Sequence, residues 1–201
     1  MDRYHRARLT GTIGIAATVA WLANWTYLLI TDSAATIGST AWYTGQALSA
    51  PAVLGTTITI GGLWWTRTGG AGRFARLTLG AWTTGFLLVF AGTVITITSA
   101  NNPVNPLLPL GGMLATVAGI AGGIVILRAK VLDTWRRWAP LTLALWYGLV
   151  LGGVMAVAEH SWLATAAELA TYLMIGLTAI ALRTARLAQP SPAGQLQQAA
   201  A

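Results

Sequence analysis

One carboxyl group lies well inside an apolar stretch of this chain. Glu168 is about two helical turns, or roughly 9 Å, from the start of the hydrophobic segment 162–182. At 100° per residue, four polar residues share one helical face within a stripe about 60° wide: Ser161, Thr165, Glu168 and Tyr172. Ionisable groups at membrane depth are costly, so they usually face a cavity or a partner. The stripe therefore predicts a pocket for a polar ligand, with a hydrogen bond between helices as the structural alternative.

Further polar residues fall in the same half of the predicted bundle and complete this pocket. Some lie on the first two apolar segments, and others flank the sixth segment or follow the first. Asn24 is the most notable of them, because an amide inside a membrane helix needs a hydrogen-bond partner. We predict that the ligand contacts residues from this set: Glu168, Tyr172, Thr165, Ser161, Asn24, Tyr27, Gln46, Glu159, His160 and Asp32.

The sequence predicts no metal, cofactor or catalytic motif. His160, Glu159, Glu168 and Asp32 carry groups that bind metals, but they follow no metal-binding spacing. Cysteine is absent, and so are a glycine-rich phosphate loop, G-x-S-x-G and H-E-x-x-H. The tryptophans, Trp21 among them, are interpreted as an aromatic belt at the membrane interfaces.

The composition places these residues in a membrane protein. Of the 201 residues 55% are hydrophobic and 8% are charged, whereas soluble domains carry about 25% charged residues. The net charge is +7, but the basic residues are confined to short segments between apolar runs. That pattern excludes nucleic acid as the partner and predicts contact with anionic lipid headgroups on the cytoplasmic side.

Six apolar segments are long enough to cross a bilayer core about 30 Å thick. They predict an all-α integral membrane protein whose single six-helix domain, residues 1–188, precedes a disordered tail, 189–201. All twelve Arg and Lys residues fall on one side of this arrangement, which predicts cytoplasmic termini and a bacterial plasma (inner) membrane. The predicted spans are about 9–30, 47–66, 77–99, 107–127, 139–158 and 162–182.

Two ten-residue stretches, 73–82 and 137–146, match at six positions and each precedes a long apolar run. Together with a fainter copy around Thr10, they predict three tandem helical hairpins in the same orientation. The alternative is chance, because Leu, Ala, Thr and Gly are common throughout this chain.

Small residues recur at every fourth position on the fourth and fifth spans, where they allow helix backbones to approach closely. The ladders centre on Gly119 and Gly123 in one span and on Gly148 and Gly152 in the other. We interpret them as contacts inside the bundle. A face for a second copy or for another membrane protein is the alternative.

Three functions are compatible with these patterns. The favoured one is a protein that binds or transports a small or lipidic molecule through an outward-facing pocket at Glu168. The first alternative is an accessory or scaffold subunit of a membrane complex, packed through the small-residue faces. The second is a membrane-embedded enzyme on a lipid or isoprenoid, with Glu168 as general acid and His160 or Asp32 assisting.

Overall fold

The computed structural model describes residues 3–31, 39–99, 105–158 and 162–185, which form helices and no β-strand. Four long helices come first: α1 (Arg3–Ile30), α2 (Thr40–Trp65), α3 (Arg73–Thr98) and α4 (Leu107–Ala129). They are followed by a 3₁₀ turn (Thr134–Arg137), α5 (Ala139–Leu145), a π segment (Trp146–Leu151), α6 (Gly152–Ala158) and α7 (Trp162–Arg183). The tail predicted for 189–201 lies outside the described residues.

The helices extend beyond the apolar segments that predict them. α1 starts at Arg3, and α2 starts after Ser39, whose hydroxyl accepts a hydrogen bond from the Trp42 amide at 3.2 Å. Hydropathy marks only the part of a helix suited to hydrocarbon, whereas backbone hydrogen bonding continues until a capping residue ends it.

The helices pack as a closed ring in chain order. α1 contacts α2, α2 contacts α3, α3 contacts α4 and α4 contacts α5. α5 and the π segment contact α7, and α7 returns to α1. Short connectors make successive helices antiparallel, so the connectors alternate between the two ends of the ring.

Five helices, α1 to α4 and α7, are long and apolar enough to cross a membrane. Their outward faces carry large apolar side chains: Leu77 and Val117 are each 70% exposed and Met113 is 69% exposed. Soluble monomers rarely expose such surfaces over wide areas, so the fold is that of a helical membrane protein.

The predicted fifth span differs from the others, because it is not one uninterrupted α-helix. Residues 139–158 keep a helical backbone, but the π segment separates α5 from α6. The interruption begins at Trp146, the last residue of the second ten-residue stretch. The matching residue of the first stretch, Trp82, is 1% exposed in the middle of a regular helix.

One end of the ring carries every Arg and Lys residue that the structure describes, and we call it the arginine end. It comprises the starts of α1 and α3, the α2–α3 and α4–α5 connectors, and the ends of α4 and α7. Its 3₁₀ turn is held by Arg136, which pairs with Asp133 at 2.7 Å and donates to the Thr184 hydroxyl at 3.0 Å. Apolar side chains with at most 1% exposure fill the half of the ring behind it, including Ile60, Leu63, Leu79, Ile126, Leu143 and Leu182.

Three of the four ladder glycines lie against a neighbouring helix. A Cβ atom on Gly123 would lie 2.7 Å from the Leu141 Cα atom of α5, and one on Gly119 would lie 2.8 Å from the Trp82 indole nitrogen. A Cβ atom on Gly148 would collide with the Thr116 side chain. Gly152 differs, because the nearest atom is the Tyr147 carbonyl oxygen of its own helical segment, at 3.9 Å.

Gly123→Ala should therefore destabilise the bundle, because the new methyl group meets the α5 backbone rather than a flexible side chain. Overpacking of this kind lowers the free energy of unfolding by about 1–3 kcal/mol. The measurement is the Tm of the purified protein in detergent. Gly153→Ala is the matched control, since nothing lies within 4 Å of a Cβ atom there. Equal Tm values for both variants would contradict the α4–α5 contact.

Candidate functional site

A cavity of about 210 Å³ lies inside the ring, in the half away from the arginine end. Residues of α1, α2, α3, the π segment and α7 form its wall. Sites for drug-sized ligands measure roughly 300–1,000 Å³. This cavity therefore fits a small molecule, or one end of a larger one.

Glu168 supplies the one carboxyl group among the described residues of the cavity wall. It is half-buried on the second turn of α7, and it forms no ion pair or hydrogen bond with any described residue. A carboxyl group held in apolar surroundings without a partner is energetically costly. Its oxygens are therefore available to a ligand in the cavity.

Two pairs of aromatic rings line the same cavity as the carboxyl group. Trp21 of α1 stacks on Tyr172 of α7, with the ring centroids 4.7 Å apart and the planes 8° from parallel. The Trp21 indole also donates to the Thr56 hydroxyl at 3.2 Å. Phe86 of α3 contacts Tyr147 of the π segment, with the centroids 5.4 Å apart. Each pair joins two helices, so the contacts that hold the ring together also fix the aromatic wall.

The serine and threonine hydroxyl groups in the described wall donate their protons to their own helices. Thr56, Thr93 and Thr171 donate to the backbone carbonyls four residues earlier at 2.8–2.9 Å, and Ser49 donates to the Gln46 carbonyl at 3.0 Å. A hydroxyl has a single proton. These four groups can therefore accept a hydrogen bond from a ligand but have no free proton to give.

The π segment also fixes the position of α7 beside Glu168. The Trp146 indole donates to the Ala167 carbonyl at 3.1 Å, and the Thr171 hydroxyl donates to the same oxygen at 2.8 Å. The turn of α7 that carries Glu168 is thereby tied to the neighbouring helical segment.

The structure brings three residues of the predicted set to the cavity: Glu168, Tyr172 and Gln46. Thr165 and Tyr27 are half-buried but are not part of the described wall. On α7, Thr171 lines the cavity beside Glu168 and Tyr172, and Thr165 is not among the described lining residues. Four further residues of the predicted set lie outside the described residues: Asp32, Glu159, His160 and Ser161.

Asn24 lies on α1, but it is not one of the described residues of the cavity wall. It is 5% exposed, and its side-chain oxygen is buried without a hydrogen-bond donor among the described residues. That oxygen faces Gly45 of α2, where a Cβ atom would lie 3.7 Å away. The amide is thus enclosed between α1 and α2.

Sequence reasoning missed Trp21, Phe86 and Tyr147 as wall residues. Trp21 was interpreted as part of an aromatic belt, but it lies near the middle of the first predicted span. Aromatic side chains within an apolar run give no sign of whether they face lipid, core or cavity. Trp21 lies about two and a half helical turns before the end of its span at Ile30, and this position could have argued against the belt.

A second, apolar groove of about 530 Å³ runs between α4 and the π segment. Its wall includes Met113, Val117 and Gly152. Tyr147 and Leu151 line both this groove and the cavity at Glu168. Two side chains of the π segment therefore form the partition between the two spaces.

Comparison with known proteins assigns no family to this chain: no protein-family model, curated protein or solved structure matches it. Within the described ranges, no group of three or more His, Asp or Glu side chains is placed to hold a metal ion. The chemistry of the site is therefore defined by Glu168 and the aromatic rings around it.

The absence of cysteine allows single cysteines to report access to the cavity. We expect Ser49→Cys to react with a small, water-soluble methanethiosulfonate reagent at least about tenfold faster than Thr59→Cys, because buried thiols ionise poorly and are shielded. Ser49 is half-buried in the cavity wall, whereas Thr59 is on the same helix and 1% exposed. Equal labelling rates in the folded protein would show that solvent does not reach the cavity.

Proposed function

We propose that this protein binds or transports a small or lipidic molecule at the cavity around Glu168. One observation carries the proposal. A half-buried carboxyl group without a partner among the described residues lines a cavity inside an apolar bundle. Charged groups persist at such depth where they face a cavity or serve a ligand. The aromatic wall adds the apolar surface that small-molecule sites usually provide.

In this proposal the chain crosses the bacterial inner membrane six times, with both termini in the cytoplasm. Residues 139–158 are the fifth crossing, because their helical backbone would reach roughly 30 Å at 1.5 Å per residue. The clustering of described Arg and Lys residues at one end supports a cytoplasmic orientation for that end. The cavity at Glu168 would then belong to the outer half of the protein.

The arginine end has features that suit an anionic lipid headgroup. Arg6, Leu9, Thr10 and Trp65 line an apolar cavity of about 290 Å³ there. A guanidinium group beside apolar surface and an interfacial tryptophan is a common arrangement at membrane surfaces. This supports the proposal that anionic lipids contact the cytoplasmic side.

The tandem-hairpin repeat is part of the same proposal. Ala75 and Ala139 occupy matching positions in the two ten-residue stretches, and both are buried. Leu79 and Leu143 also match, and each is 1% exposed. Burial is alike at these two matched pairs, whereas Thr78 is buried and its match Thr142 is exposed. The two pairs support a common origin for the second and third hairpins.

A second candidate is an accessory subunit of a membrane complex. Gly152 and Gly153 are exposed on α6, and Gly152 borders the apolar groove next to α4. Exposed glycines let another helix approach closely. For the enzyme interpretation, Glu168 lies in the described wall, and the assisting residues His160 and Asp32 lie outside the described residues.

Native mass spectrometry of the protein released from lipid should reveal a bound small molecule or lipid that Glu168→Gln loses. Removing the carboxylate removes the only charged group that the described wall offers to a ligand. Asp133→Asn is the matched control, because it also removes one negative charge but lies at the arginine end.

Equal ligand occupancy in wild type and Glu168→Gln would refute the binding site. A copurifying polypeptide that Gly152→Leu releases, with Glu168→Gln unaffected, would instead establish the subunit function.

Sided labelling of single cysteines tests the orientation. We expect Gly72→Cys, in the α2–α3 connector, to be protected from a membrane-impermeant maleimide in intact cells and labelled after lysis. Ser99→Cys, exposed at the end of α3, should be labelled in intact cells. Both positions have room for a side chain at the surface. The reverse pattern would place the arginine end outside.

A further inference from the structure

We propose that the ligand of the cavity is a small organic cation, either a protonated amine or a quaternary ammonium compound, bound with its charge facing Glu168. This inference rests on the proposed function and adds the chemical class of the ligand. It follows from the charge, the hydrogen-bonding capacity and the aromatic content of the wall.

The charge of the wall selects the sign of the ligand. Glu168 is its one carboxyl group among the described residues, and none of the described wall residues is Arg, Lys or His. The described cations lie at the arginine end, separated from the cavity by the apolar core. An anionic ligand would meet repulsion from the carboxylate and no compensating charge, whereas a cation would neutralise it.

The hydrogen-bonding capacity of the wall also favours a cationic ligand. Four hydroxyls already donate to backbone carbonyls, so they offer lone pairs only. Free donors remain on the Gln46 amide and on the phenols of Tyr147 and Tyr172. A ligand that only accepts hydrogen bonds would leave these lone pairs without a donor, whereas a protonated amine can donate to them. A cation has few or no acceptors.

The aromatic rings distinguish an organic cation from a metal ion. Ring faces carry negative potential and attract ammonium groups, and cages of such rings are the usual receptors for quaternary ammonium. Metal ions such as Mg²⁺ or Ca²⁺ instead require about six or more oxygen ligands. Trp21, Tyr172, Phe86 and Tyr147 are among the residues that line a cavity of about 210 Å³, a size that suits an ammonium group with small substituents.

The test is isothermal titration calorimetry with the full-length protein in phosphatidylcholine nanodiscs, with empty nanodiscs as blank. The probes are benzyltrimethylammonium, benzenesulfonate and benzyl alcohol, which have similar size and carry a positive, a negative and no charge. We expect the wild type to bind benzyltrimethylammonium. Glu168→Gln should weaken that binding at least about tenfold, while Asp133→Asn should leave the Kd unchanged.

Variants of the aromatic wall separate recognition of the cation from a structural role. Tyr172→Leu should raise the Kd for benzyltrimethylammonium about 2- to 30-fold, the range of cation–π interactions, whereas Tyr172→Phe keeps the ring and should bind like wild type. Benzyl alcohol binding should be unaffected by Glu168→Gln. A purely structural role of Tyr172 would weaken the binding of all probes alike.

The outcomes that overturn the assignment are distinct from those that overturn the site. Glu168-dependent binding of benzenesulfonate or benzyl alcohol, without binding of benzyltrimethylammonium, would refute the cation and leave the site intact. Equal Kd values for benzyltrimethylammonium in wild type and Glu168→Gln would also refute the cation. If no probe binds and no ligand copurifies in native mass spectrometry, the proposed function itself fails.

Discussion

The structure depends on the need to satisfy polar groups where no water is available. Hydrocarbon offers no hydrogen bonds, so each buried polar group needs a partner within the protein. Most described threonines meet this need inside their own helix: Thr18 donates to the Gly14 carbonyl at 3.0 Å and Thr178 donates to the Met174 carbonyl at 3.0 Å. Close packing then supplies contacts between helices. For example, the Thr18 methyl group lies 3.1 Å from where a Cβ atom of residue 176 would be.

Against this background, the few polar groups without described partners become informative. The Asn24 oxygen and the Glu168 carboxyl group both lack one, but their surroundings differ. Asn24 lies against Gly45 and is not part of the described cavity wall, whereas Glu168 lines a cavity of about 210 Å³. An unpaired group without space is a cost to stability, and one beside a cavity is available for binding.

Much of the fold was predictable because hydropathy and charge act over long stretches of sequence. The apolar runs predicted the helices, the basic connectors gathered at one end, and helical spacing placed Glu168 and Tyr172 on one face. The π segment was not predictable, because residues 146–151 carry no local signal for it and its position depends on contacts with α4 and α7. Trp21, Phe86 and Tyr147 were missed because the rotation of each helix about its own axis decides which side chains face the cavity. Residue type does not reveal that rotation.

The tight packing near the arginine end limits how the helices can move relative to one another. At Gly11 a Cβ atom would lie 2.5 Å from the Arg183 backbone nitrogen, and at Gly62 one would lie 2.7 Å from the Thr10 Cβ atom. The helices α1, α2 and α7 are therefore in close backbone contact there. Rotation of one helix against another must then pivot near these contacts. Trp21, the α1 residue in the described cavity wall, lies about 15 Å along α1 from Gly11 at 1.5 Å per residue, so a tilt of about 5° displaces it by about 1.3 Å. Small tilts of the helices at these contacts therefore change the width of the cavity.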